Sequence, residues 1–78
     1  MSEASDAIVA LVRAAQLPPP AERRRIREAA GLSLDRMGKA LGVTGPTVWN
    51  WENEKDGPSL ENAVKYRQLL DKLDQAVA

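Results

Sequence analysis

Two helical runs in this chain are joined by very little. The run that begins after Ser33 ends at Gly42, and Thr44 is already placed to cap the next one. Glycine supplies the left-handed residue that stops a helix, and a threonine hydroxyl satisfies free N–H groups at a helix start. A link of about three residues makes the two helices one unit, the second turned sharply away from the first.

The same punctuation divides the rest of the 78 residues. Between prolines and glycines the apolar residues recur at helical rather than alternating spacing, so the whole chain reads as all-α. Residues 5–16 carry Ile8, Leu11, Val12 and Ala15 on one stripe, then stop at Leu17 and the triplet Pro18, Pro19 and Pro20. This predicts an N-terminal helical arm and proline linker over residues 1–20, ahead of a single domain over 21–78. Residues 21–30 form a second run with a thin stripe of Ile26, Ala29 and Ala30, while Arg23, Arg24, Arg25 and Arg27 crowd its other faces. The third run has Asp35 in its first turn and Leu34, Met37, Gly38 and Leu41 as its stripe. A fourth extends from 45 to about 54 and tolerates Pro46, because first-turn N–H groups have no intrahelical partner. After the turn Lys55-Asp56-Gly57-Pro58, Ser59 caps a last helix carrying Leu60, Val64, Leu69, Leu70, Leu73 and Val77. The expected architecture is a compact four- to five-helix domain with an extra N-terminal helix or arm, around the one core that this length permits.

Composition removes most chemistry. There is no cysteine and no histidine, hence no disulfide, no thiolate metal site, and neither the commonest general base nor the commonest transition-metal ligand. No phosphate loop, nucleophile–base pair or acid dyad is present, so an enzyme has no residues to work with. The stretch from Glu52 to Gly57 opens like a calcium loop, but its twelfth position is Ala63 and Pro58 interrupts it. Neither cofactor nor metal is expected. No apolar run reaches membrane length and no cleavable leader is evident, which predicts a cytoplasmic, nucleoid-associated protein. Eleven basic and eleven acidic side chains balance, yet residues 21–50 hold six basic against three acidic ones. The positive field therefore lies at the short-turn helix pair.

On a wheel of about 100° per residue, Val48 and Trp51 share one side of the fourth run, while Pro46, Trp49, Asn50 and Asn53 fall opposite. That outer side shows two amides, a proline and an indole in place of the usual Lys/Glu mixture. From Ile26 to Leu60, the junction Gly31-Leu32-Ser33, the turn Leu41-Gly42-Val43-Thr44, Val48, the pair Trp51-Glu52, and Pro58-Ser59-Leu60 follow one another without a gap. In that order and spacing the sequence resembles the Cro/repressor-type (XRE-like) helix-turn-helix DNA-binding family. The resemblance implies a sequence-specific, repressor-like transcriptional regulator that inserts the helix 45–54 into the major groove of double-stranded DNA and binds as a homodimer. It also implies an ion pair between Arg27 and Glu52 that ties the first family helix to the end of the reading helix.

Three positions depart from the family. Leu34 replaces a glutamine that reaches a phosphate, Arg23 stands where an apolar residue is usual, and Gly45 and Pro46 replace base-reading side chains. The departure at Arg23 predicts altered packing of that helix, with Leu17 or the N-terminal helix filling the gap. Base contact then falls to Asn50, whose amide matches adenine N6 and N7, and to the apolar surfaces of Trp49 and Pro46. Phosphate contacts are expected from Thr44, Thr47, Asn53 and Lys55, with Arg24 and Arg25 flanking the groove. Arg36 and Lys39 read as ordinary solvated charges. Val48, Trp51, Arg27 and Glu52 are structural. Dimerisation falls to the N-terminal helix or to Leu69, Leu70, Leu73 and Val77, whose other reading is burial under the arm. A different class of function also fits: a protein-interaction adaptor that keeps this scaffold and holds a partner through Trp49 and Pro46.

Overall fold

A computed structural model describes residues 2–78 and shows, among them, five helices and no strand. In chain order they are α1 (Glu3–Ala14), α2 (Pro20–Ala29), α3 (Leu34–Leu41), α4 (Gly45–Glu52) and α5 (Leu60–Val77). The all-α expectation holds, with both ends of α1 and the end of α4 moved back by about two residues and α2 shifted by one. α1 begins earlier than residue 5 because the Ser2 hydroxyl caps it, accepting from the Ser5 N–H at 3.3 Å. α4 stops at Glu52, short of 54, because the backbone turns left-handed at Glu54 (φ 56°).

α2 starts at Pro20 without a side-chain cap, whereas hydroxyls cap α3, α4 and α5. Ser33 accepts from the Arg36 N–H (3.1 Å), Thr44 from Thr47 (3.3 Å) and Ser59 from Asn62 (3.2 Å). Between α3 and α4, Gly42 takes φ 76°, and the Val43 N–H returns to the Gly38 carbonyl at 2.8 Å, closing the helix end. Gly38 is buried because the turn lies directly on it: a Cβ there would stand 2.8 Å from the Val43 oxygen and the Thr44 carbonyl carbon. The sharp link therefore needs two glycines, one for its conformation and one for its close approach.

The core is Ile26 of α2, Met37 and Leu41 of α3, Val48 and Trp51 of α4, and Tyr66 and Leu70 of α5. Trp51 and Tyr66 meet with ring centroids 5.4 Å apart at 38°. Leu17, Leu32, Leu34, Val43, Leu69 and Leu73 close over this cluster. The inward stripe of α5 is Ala63, Tyr66, Leu70 and Leu73, rotated from the expected one: Leu60 is exposed and Val64 only half-buried. Tyr66 sets that phase, since it fills the space between Trp51 and α2.

On α2 the expected stripe is also revised. Ala29 is exposed, while Arg23 is half-buried and Arg27 buried beside Ile26. Positions 23, 26, 27 and 30 are spaced as one helix face, so two arginines occupy core-facing sites. Leu17 packs on the core, whereas α1 buries no residue and lies against α5, where Arg67 Nη1 donates to the Arg13 carbonyl at 2.6 Å. Ile8, Val9, Leu11 and Val12 of α1 stay exposed.

Candidate nucleic-acid interface

α4 is fixed from beneath and bare above. Val48 (0% exposed) and Trp51 (3%) anchor it in the core, while Pro46 and Trp49 face solvent and Asn50 is half-buried. These last three line a single notch of about 440 Å³ between the start of α3 and α4, together with Leu34 and Asp35. The Asp35 carboxylate fills the place where a side chain on Gly45 would stand. No lysine or arginine lines the notch.

Thr44 and Thr47 sit at the start of α4 with their hydroxyls 2.8 Å apart, and Thr44 also serves as the cap. Each keeps hydrogen-bonding capacity beyond that pair. At the other end the Asn53 amide donates to the Trp49 carbonyl at 2.8 Å, so it closes the helix rather than standing free. Lys55 is exposed and, among the described residues, forms no ion pair; the same holds for Arg36 and Lys39. Arg24 and Arg25 lie apart from the notch on α2. Arg24 Nε meets Glu28 at 2.7 Å; Arg25 donates to Glu22 at 2.8 and 2.6 Å and approaches Asp74 of α5 at 3.5 Å. The Arg25 hydrogen bond holds the Glu22 carboxyl below its ordinary value, and Glu22 raises the Arg25 guanidinium in turn. Both arginines are thus partly neutralised, whereas the cations at 36, 39 and 55 are not.

Beneath the helix lies a polar brace. Arg27 grips Glu52 with two bonds, Nε–Oε2 at 2.7 Å and Nη2–Oε1 at 3.0 Å, and its Nη1 donates to the Leu32 carbonyl at 2.8 Å. Their side chains are 11% and 2% exposed. The pair ties α2 to the last residue of α4 and to the segment leading into α3. Bonding to Glu52 raises the guanidinium further above its already high value, so it carries charge at every working pH.

Arg23 is a support that sequence reasoning did not assign. Its Nε donates to the Pro18 carbonyl at 2.9 Å, its Nη1 reaches the Trp51 carbonyl at 3.4 Å, and its guanidinium lies 5.5 Å from the centre of the Tyr66 ring. It locks the proline linker, the end of α4 and α5 together. The available signal was its spacing of four from Arg27, which puts both on one face. The Tyr66 hydroxyl beneath is buried with no hydrogen-bond partner among the described residues, and burial pushes its ionisation above the ordinary value.

A protein of Methanocaldococcus jannaschii provisionally named an HTH-type transcriptional regulatory protein is 29% identical over 48 residues, 62% of this chain. The chain spans 15% of that relative's length. No solved structure matches significantly. A family model described as helix-turn-helix matches residues 24–74, from the middle of α2 to near the end of α5. The short Gly42 turn, the two helices it joins and the brace beneath them all fall within that match, and the chain belongs to the XRE-type helix-turn-helix family.

Proposed function

We propose that residues 21–78 form a sequence-specific DNA-binding unit of a repressor-like transcriptional regulator, and that α4 enters the major groove. The observation that carries this reading is the division of α4, clamped by Val48, Trp51 and Glu52 while exposed Pro46 and Trp49 and half-buried Asn50 line one notch. Asn50 reads a base edge, Trp49 and Pro46 supply apolar contact, and Thr44, Thr47 and Lys55 position the backbone. Asn53 contributes mainly by closing the helix. Arg24 and Arg25 act at the flank, exchanging their carboxylate partners for phosphates.

So few phosphate contacts give weak binding at physiological salt, which makes a homodimer on a two-fold site the working form. Leu69, Leu70 and Leu73 are engaged in the monomer, so α1 with its exposed apolar residues is the better dimer element. The protein acts in the cytoplasm on the nucleoid, without a cofactor.

Binding to mixed genomic DNA across a salt series tests the reading. Affinity falls steeply with salt; Asn50→Ala relaxes base preference, while Lys55→Ala weakens all sequences alike and lowers the salt slope by about 1. Absence of binding at low salt would favour the adaptor reading, which the cation-free apolar notch at Trp49 also suits.

A further inference from the structure

We propose, on the basis of the DNA-binding reading, that the notch between α3 and α4 is a receptor for the C5-methyl group of a pyrimidine, with Leu34 and Trp49 as its specificity-determining walls. Leu34, Pro46 and Trp49 give it apolar sides, and Trp49 is left 45% exposed on the outer face of α4. A large exposed indole beside a hydrocarbon groove marks a contact surface. The notch's charge excludes a phosphate occupant: its one ionisable side chain is Asp35, and no cation lines it. At its edge the Asn50 side chain makes no hydrogen bond among the described residues, leaving a free donor and acceptor.

The major-groove edges of the base pairs offer one alkyl group, the methyl at C5 of thymine, set among hydrogen-bonding atoms. An apolar notch with a free amide on its rim is complementary to that edge. Leu34 decides the matter on the protein side: a longer amide side chain there would add polar atoms opposite Trp49, whereas leucine gives the notch an apolar wall beside Ser33 and Asp35. The same chemistry would accept 5-methylcytosine, and the two sources are separable.

The test begins with a tight duplex selected from random sequence, in which each thymine is then replaced by uracil. That change deletes the methyl and keeps every hydrogen-bonding atom. Uracil at one or two positions beside the Asn50 contact is expected to weaken binding about fourfold, which is the ~0.8 kcal/mol of one buried methylene. Trp49→Ala, at an exposed site, should bind the thymine and uracil duplexes alike. An equal gain from 5-methylcytosine over cytosine at that position assigns the notch to the methyl alone; a gain confined to thymine assigns it to that base. Equal binding of thymine and uracil duplexes at every position overturns the methyl receptor while leaving sequence-specific DNA binding intact. Failure to enrich any duplex overturns the DNA-binding reading itself and gives the notch to a protein segment.

Discussion

Trp49 and Trp51 are two residues apart on one helix and have opposite fates: the first is 45% exposed, the second 3%. A step of two residues is about 200° around a helix, so α4 turns one indole outward and the other onto Tyr66. Identical side chains thus separate stability from recognition by phase alone. The largest effect should come from breaking this comparison on its buried side. Trp51→Ala is expected to destabilise by about 3–5 kcal/mol, a large fraction of the whole for a domain of this size, read as a lowered denaturation midpoint. Trp49→Ala should leave that midpoint nearly unchanged and reduce affinity for DNA. If the two variants lose similar stability, α4 is not divided as described.

The same contrast recurs between two arginine–carboxylate pairs. Arg24 and Glu28 meet at 2.7 Å with side chains 61% and 56% exposed, whereas Arg27 and Glu52 meet at the same distance, 11% and 2% exposed. Water screens the first pair, so Arg24→Ala should scarcely move the denaturation midpoint. In the second, truncating one partner strands a charge in the interior, and Glu52→Ala is expected to cost about 3–5 kcal/mol. Replacing both partners with apolar residues of similar volume should recover much of that loss in stability. It should not recover DNA affinity, because the brace that sets the position of α4 would be gone. Recovery of both would show that the pair has no positioning role.

These contrasts explain what could be read without coordinates. The turn was legible because Gly42 and Thr44 act through their own backbone and immediate neighbours, and Trp51 followed from helical phase. The stripe of α2 was obscured because two of its core-facing positions are arginines: their apolar stems pack inward while their guanidinium groups find the nearby Pro18 carbonyl and, far along the chain, Glu52 and the Tyr66 ring. Tyr66 was missed although its spacing from Ala63, Leu70 and Leu73 puts it on the inward face of α5, because Leu60, Val64 and Val77 offered a competing stripe. Leu34 read as a member of the α3 stripe and as a lost phosphate anchor. Its part in the notch required knowing that α3 begins beside the outer face of α4.

The smallest expected effect sharpens the comparison between the two ends of the helix pair. α3 and α4 close in the same manner, with the Val43 N–H returning to Gly38 at 2.8 Å and the Lys55 N–H to Asn50 at 2.9 Å. The left-handed residue is Gly42 in the first case and Glu54 in the second. A side chain in that conformation costs roughly 1–2 kcal/mol, while glycine loses about 0.5–1 kcal/mol more chain entropy on folding. Glu54→Gly should therefore stabilise the domain by about 0.5–1 kcal/mol, whereas Gly42→Ala should destabilise it. Glu54 also places a carboxylate next to Lys55, so its removal should strengthen binding to all DNA sequences alike. Glu54→Gln separates the two effects: it removes the charge but keeps the strained backbone, and should raise affinity without raising the denaturation midpoint. Equal stabilisation by glycine and glutamine would trace the cost at this position to charge instead of conformation.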